Sequence, residues 1–425
     1  MKVEKMTLLD YRGAYSLSLV FDKKLNVFFG ANGTGKSTVL DAIAIMLSWT
    51  ISRIRHAGGS GRPISETDIR NGSTLANVKI ECLSQDSPLQ WGLVKGKKGH
   101  GSHDQRSHLS ELSAYTKKIQ TDFKSDSEHF NLPLFVYYPV NRAVLDIPLR
   151  IKAKHHFNLF DAYDNALTSG ANFRTFFEWF REREDLENEN LKYEHNQPSL
   201  ENIQYPDPQL ETVRYALDEV LPTFQDFTVR RNPLRMEVKK VGKRLTVNQL
   251  SGGEKCLIAL IGDLARRMAI ANPARKQPLE GEAIVLIDEI ELHLHPKWQQ
   301  MVVSKLPVVF PNVQFIISTH SPHVITHVKP ENLYLLKQSG EGLTAERPIE
   351  SYGKNVDRIL EDLMGLETTR PDEVSKGLGD IYNKIESGLI DEARALINSM
   401  RNEIGDDPDL VKAGVLIKRR EIIGK

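Results

Sequence analysis

The stretch Gly30–Thr38 reads GANGTGKST and fits the spacing G-x-x-x-x-G-K-[ST]. Glycines at 30, 33 and 35 let successive backbone N–H groups turn inward, which makes a cradle for an anion. A helix starting there adds the positive potential of its N-terminus. Lys36 then reaches β- and γ-phosphates, the Ser37 hydroxyl ligates Mg²⁺, and Asn32 and Thr38 complete the loop. A tight glycine turn alone explains the glycines but not the lysine. ATP with Mg²⁺ is therefore the expected cofactor pair.

A second constellation supplies the acid chemistry. In AIVLIDE, Ala283–Glu289, five apolar residues carry Asp288 to a strand end, where it can hold Mg²⁺. Glu289 follows at once and is positioned to polarise an attacking water, so it is the candidate general base. FIISTHSP ends a further apolar run at His320, a candidate sensor of the γ-phosphate. LSGGE, Leu250–Glu254, is a third segment, whose Ser251, Gly252 and Gly253 would present a hydroxyl and N–H groups at a helix start. A second phosphate grip beside the first is redundant within one subunit. Two copies pairing head-to-tail, each lending residues 250–254 to the other's ATP, remove the redundancy.

Positioning these residues takes an alternation of strands and helices. Leu25–Phe29 reads as a strand ending at Gly30, preceded by another strand before a turn at Asp22–Lys24. From Ser37, STVLDAIAIMLSW is apolar on nearly every side, as in a helix buried beneath a sheet. TLANVKIECL and LQWGLVKG read as a hairpin, Leu134–Tyr138 as a buried strand, and 226–247 as two strands around a basic turn. Helices are expected from Leu250 to about Ile270 and from Pro296, and strands at 313–318 and Leu333–Leu336. The polar stretch 95–130, with histidines at 100, 103 and 108, reads as a mobile loop. Residues 150–222 read as a helical insert with an aromatic stripe. The ATPase head is thus expected over 1–344, with a helical module over 345–425 in which Ile359, Leu360, Leu363 and Leu366 share one side.

Bulk properties narrow the class. Lys plus Arg equals Asp plus Glu at 56 each, so net charge gives no long-range pull on DNA or a membrane. Lys239, Lys240, Lys243 and Arg244 form a local basic patch, which a solvated turn also carries. Two cysteines, Cys82 and Cys256, exclude a disulfide framework and a zinc knuckle and suit a reducing compartment. No run of 18 apolar residues and no signal peptide stand out, so a cytoplasmic protein without a membrane partner is expected.

The motif order, phosphate loop, LSGGE, strand-Asp-Glu, strand-Ser-Thr-His, resembles ABC-type ATPase heads of the RecF and SMC branch. That resemblance implies an α/β fold: a P-loop NTPase head with a mixed β-sheet core, a small antiparallel β subdomain, a helical signature-motif subdomain and a C-terminal helical module. It also implies that Arg12 faces phosphate, and that Asn141 or Arg142 stands in for a glutamine that is not evident. No coiled-coil arm and no nuclease centre are found. YYPVNRAVLDIP, FFEWFREREDLEN, DEIELHLHPKWQQ and the tail resemble the ATPase subunits of Septu-type anti-phage modules and their relatives accompanying some retrons. Implied partners are a second copy, higher oligomers, a separate HNH-type endonuclease, and DNA or retron msDNA. The alternative is a DNA-repair or DNA-clamping ATPase.

Overall fold

The structure is a computed structural model, described over residues 1–99, 106–140, 158–168, 173–196, 205–340 and 342–423. In chain order it begins β1 (Lys2–Tyr11), β2 (Ala14–Val20), β3 (Leu25–Phe29) and α1 (Lys36–Arg55). Then come β4 (Leu75–Ser84), β5 (Ser87–Gly96), α2 (Ser110–Ser125), β6 (Leu134–Tyr138), α3 (Phe173–Asn196) and α4 (Pro208–Val220). β7 (Phe224–Arg231), β8 (Leu234–Lys240) and β9 (Lys243–Thr246) lead to α5 (Gly252–Ala271) and β10 (Ala283–Ile287). α6 (Pro296–Val309), β11 (Val313–Thr319), α7 (Pro322–Ile325), β12 (Leu333–Ser339) and β13 (Gly342–Glu346) complete the first of two compact units, Met1–Lys354.

Three sheets organise that unit. The central one has the order β13-β12-β3-β11-β10-β6, parallel throughout except for the edge strand β13. Every residue of β6, β10 and β11 is buried, the pattern of parallel strands covered on both faces. α1 packs against β6, β10 and β11 from this sheet and against β4. β2-β1-β4-β5 form an antiparallel sheet, and β7-β8-β9 a smaller one. The signature-bearing helix α5 contacts α3, α4 and β6. This is an α/β architecture with a mixed central sheet and a small antiparallel sheet, as expected.

β2 and β3 flank the Asp22–Lys24 turn, as read from the sequence, and join different sheets. The Asp22 carboxylate accepts from the N–H groups of Lys24 at 2.8 Å and Leu25 at 3.1 Å, and this local turn redirects the chain. The stretch read as a mobile loop, 95–130, carries α2, whose Leu112, Thr116 and Ile119 are buried at helical spacing while its other face is polar. Residues 226–247 hold most of three strands rather than two. Lys36–Arg55 is long and apolar enough to cross a membrane, contrary to the sequence reading, but most of it is buried inside this unit as a core helix. His100 and His103 lie outside the described residues.

The second unit, Asn355–Lys425, opens with α8 (Val356–Arg358), followed by α9 (Asp372–Glu386), α10 (Ile390–Ile404) and α11 (Pro408–Ile423). Leu378, Ile381 and Ile385 meet Ala393, Ile397 and Met400, and Leu410, Ala413 and Ile417, in a core of its own. A π-helical turn at Ile359–Leu363 breaks the expected common face: Ile359 is buried and Leu366 exposed. The wider turn shifts the angular register of the residues after it.

Candidate nucleotide site

The loop from β3 to α1 takes the shape its glycines permit. Gly30, Gly33 and Gly35 all have positive φ, at 147°, 78° and 86°. A side chain at Gly30 would collide with the Leu336 carbonyl, and one at Gly35 would meet Leu343 at 2.8 Å. α1 then begins with no side-chain cap and no acid in its first turn, so its N–H groups are open to an anion. Lys36 is buried, and its ammonium donates to the Gly30 and Ala31 carbonyls, both at 2.9 Å. Burial lowers its pKa, and the negative charges of Glu289, Asp288 and Glu291 work against that shift. Ser37 and Asn32 are exposed at the loop surface and Thr38 is half-buried.

Asp288 follows the last residue of β10, buried, with its backbone N–H on the Tyr138 carbonyl at 2.9 Å. The Ser318 hydroxyl donates to the Asp288 carboxylate and accepts from the Glu289 N–H at 2.8 Å. One hydroxyl from β11 thus fixes both acids. Tyr137 reaches the other Asp288 oxygen at 3.5 Å. Glu289 sits at φ 48°, a left-handed conformation that costs a non-glycine residue about 1–3 kcal/mol and clusters at functional sites. Its carboxylate lies 3.8 Å from Nε2 of His320. Glu291 accepts from the Thr319 hydroxyl at 2.8 Å and from the His320 N–H, bolting the two strand ends together. Burial, then the charge on Lys36, lowers the pKa of His320, so its imidazole is neutral at neutral pH.

The structure therefore brings Lys36, Asp288, Glu289 and His320 to one strand-end cluster. Among the described residues no trio of His, Cys, Asp or Glu makes a protein-only metal cage. Mg²⁺ characteristically takes one or two protein oxygens and completes its shell with phosphates and water, which Asp288 and Ser37 fit. The glycine cradle, with no room for a Cβ at Gly30, fits a triphosphate approached by backbone N–H groups.

The LSGGE segment lies at a different opening. Ser251 is the N-cap of α5 in a reciprocal capping box: its hydroxyl accepts from the Glu254 N–H at 3.3 Å, and Glu254 accepts from the Ser251 N–H at 2.9 Å. Lys240, at the end of β8, holds the other Glu254 oxygen. Burial opposes ionisation of Glu254, but Lys240 and the Ser251 N–H outweigh it and keep its pKa below the usual range. Gly253 must lack a side chain, because a Cβ there would collide with the His293 carbonyl. A cleft of about 660 Å³ opens here, lined by Lys240, Ser251, Gly252, Gly253, His295 and Lys297 among others, and by no residue of 30–38.

Arg12 takes another role. Its guanidinium binds Asp68 at 2.9 Å and also Asp41, which lies on α1 and is shared with Arg62 at 2.7 Å. It therefore braces the helix behind the phosphate loop. Asn141 and Arg142 lie outside the described residues. Sequence reasoning missed Ser318 and Glu291, although both stand inside the motifs quoted, STH and DEIE.

A family model described as "AAA domain, putative AbiEii toxin, Type IV TA system" matches residues 25–326. A protein of Escherichia coli described as "Retron Ec83 probable ATPase" is 32% identical, over 99% of this chain and 87% of that protein. "Retron Vc95 probable ATPase" of Vibrio cholerae serotype O1 biovar El Tor is 30% identical over 84% and 78%. "Septu protein PtuA" of Bacillus thuringiensis is 24% identical over 87% and 85%. The chain belongs to this AAA-domain family and is an ATPase, similar over most of its length to the retron and Septu ATPases.

Proposed function

We propose that this chain is the ATP-hydrolysing regulatory subunit of a cytoplasmic anti-phage defence complex. Two copies pair head-to-tail, so that ATP on the 30–38 loop of one is closed by Ser251, Gly252 and Gly253 of the other. The observation that carries this reading is the separation of two phosphate grips into different openings of one chain. Lys36 and the loop N–H groups hold the triphosphate, Ser37 and Asp288 hold Mg²⁺, Glu289 accepts the water's proton, and His320 faces the γ-phosphate. Mg²⁺, when bound, neutralises charge that builds on the phosphate oxygens. Ser318 keeps Asp288 and Glu289 in fixed relation while this happens.

The nucleotide state is read by a separate HNH-type endonuclease, with DNA or retron msDNA as the nucleic-acid component. The DNA-clamping alternative has less support. Of its four basic residues, Lys239 pairs with Asp226 at 3.8 Å, Arg244 with Glu237 at 3.8 Å, and Lys240 with Glu254. Glu237 is also shared with Arg230 and Arg235, so a net positive patch remains on this sheet, and what places the alternative second is the similarity to retron and Septu ATPases over most of the chain.

The C-terminal helices are the proposed docking module, because they fold around their own core and leave Val411, Val415 and Ile422 exposed on α11. Deleting residues 355–425, which leaves the first unit whole, is expected to abolish co-purification of the co-expressed nuclease. Retention of the nuclease by the truncated chain contradicts docking there.

A further inference from the structure

The turn between β8 and β9 is built from the wrong residue for its shape. Lys240 pairs with Lys243, leaving a two-residue turn, Val241–Gly242, with φ of 47° and 77°. Positive φ at both central positions is the type I′ hairpin turn, for which Asn-Gly is the favoured pair. A β-branched residue in the left-handed region is an outlier, because Cβ crowds the following carbonyl. Val241 is also 81% exposed, so no packing inside this chain repays the strain.

The hairpin is nevertheless held firmly. Lys240 binds Glu254, which caps the Ser251 N–H, and its ammonium lies 5.6 Å from the centre of the Phe224 ring. Phe224 packs at 6.3 Å against Trp298 on α6. Val241 is thereby fixed on the lip of the cleft that presents Ser251 and Gly252, beside His295 and Lys297. Strain at an exposed apolar tip, rigidly aimed beside a phosphate grip, has a use if something covers that tip.

We infer that the Val241 tip is an interface knob that packs against a second, nucleotide-loaded copy of this chain when that copy's ATP enters the Ser251 cleft. The occupant is a second copy because the knob lies on the same lip as the signature residues. Closing the cleft over a neighbour's triphosphate brings that neighbour's surface onto the lip. The rim's Lys297 and the adjoining N–H groups match the anion that the neighbour carries. Val241 thus adds exposed apolar area to a cleft that Trp298 also lines. This inference rests on the shared-site reading and adds a determinant of dimer affinity to it.

The test is Val241→Asn in full-length chain carrying Glu289→Gln, with Mg²⁺ and ATP. Asn-Gly suits the turn, so the nucleotide-free protein is expected to melt higher, by roughly 1–3 °C. Losing one apolar contact of valine size weakens association about tenfold, and a two-fold pair loses two, so ATP-dependent dimerisation is expected to weaken by about a hundredfold, read by sedimentation equilibrium. A gain in association-independent stability with a loss of association separates an interface role from misfolding. An unchanged dimer dissociation constant overturns the knob and leaves the shared site standing. A Glu289→Gln parent that stays monomeric with ATP overturns both.

Discussion

Glu289→Gln is expected to cut ATP turnover by about two to three orders of magnitude while leaving ATP affinity within about threefold of the parent. Loss of a principal electrostatic or proton-accepting group raises a barrier by roughly 3–4 kcal/mol, which gives that range. Glutamine keeps the shape and removes the charge and the proton acceptor. It also keeps the backbone anchor of this residue, its N–H on the Ser318 hydroxyl at 2.8 Å. Lys36 and the loop glycines, which grip the triphosphate, are untouched. Phosphate release under saturating ATP measures the first effect, and nucleotide titration the second. Normal turnover removes Glu289 from the role of general base.

Asp263→Ala is expected to destabilise the protein by about 3–5 kcal/mol, the usual consequence of removing one partner from a buried ion cluster. Asp263 is fully buried on α5 between Arg266 and Arg267, each at 2.7 Å, and accepts from the Tyr138 hydroxyl at 3.0 Å. Arg267 also donates to the carbonyls of Ala162 at 2.7 Å and Asp164 at 3.0 Å. Without the carboxylate, two guanidinium groups remain in the core with no countercharge at α5. That loss is a large part of the 5–15 kcal/mol that ordinarily separates a folded domain from its unfolded chain. Burial opposes ionisation of Asp263, but the two guanidinium groups more than offset it and hold its pKa below the usual value. A depressed folded-state pKa contributes stability that is complete above the ordinary aspartate range and is lost as pH falls below it. Denaturant titration reads the difference as a lower midpoint. An unchanged midpoint refutes the assignment.

The position of this cluster gives it functional weight. α5 starts at the Ser251 cap, and Tyr138, which binds Asp263, neighbours Tyr137, which reaches Asp288. The end of β6 therefore touches both the acid pair and the helix that presents LSGGE. A second link runs through the loop after Glu289, whose His293 carbonyl packs on Gly253.

Much of this was legible in the residues because burial on both faces leaves a simple signature. Leu134–Tyr138 and Ala283–Ile287 are uninterrupted apolar runs, and their limits in the structure match those read from sequence. The glycine loop declared itself by its spacing, since only a lysine at the turn's end makes sense of it. What escaped detection depended on contacts between residues remote in sequence. Arg12 meets Asp41 and Asp68 through tertiary packing, and no local pattern marks that capture. Ser318 looks like an ordinary strand serine until β10 and β11 are placed side by side. α2 was hidden because only Leu112, Thr116 and Ile119 are buried along it, and its polar composition resembles a loop. The π turn at Ile359–Leu363 broke a periodicity that assumes regular helix.

The shared nucleotide site is tested most directly by mixing two inactive variants. Lys36→Ala leaves a chain that cannot grip its own ATP but keeps its LSGGE segment; Ser251→Arg leaves the opposite. Each alone is expected to show almost no hydrolysis. Random pairing makes half the dimers mixed, each with one intact site, so an equimolar mixture regains about a quarter of parental turnover. A mixture as inactive as its components contradicts the sandwich of ATP between two copies.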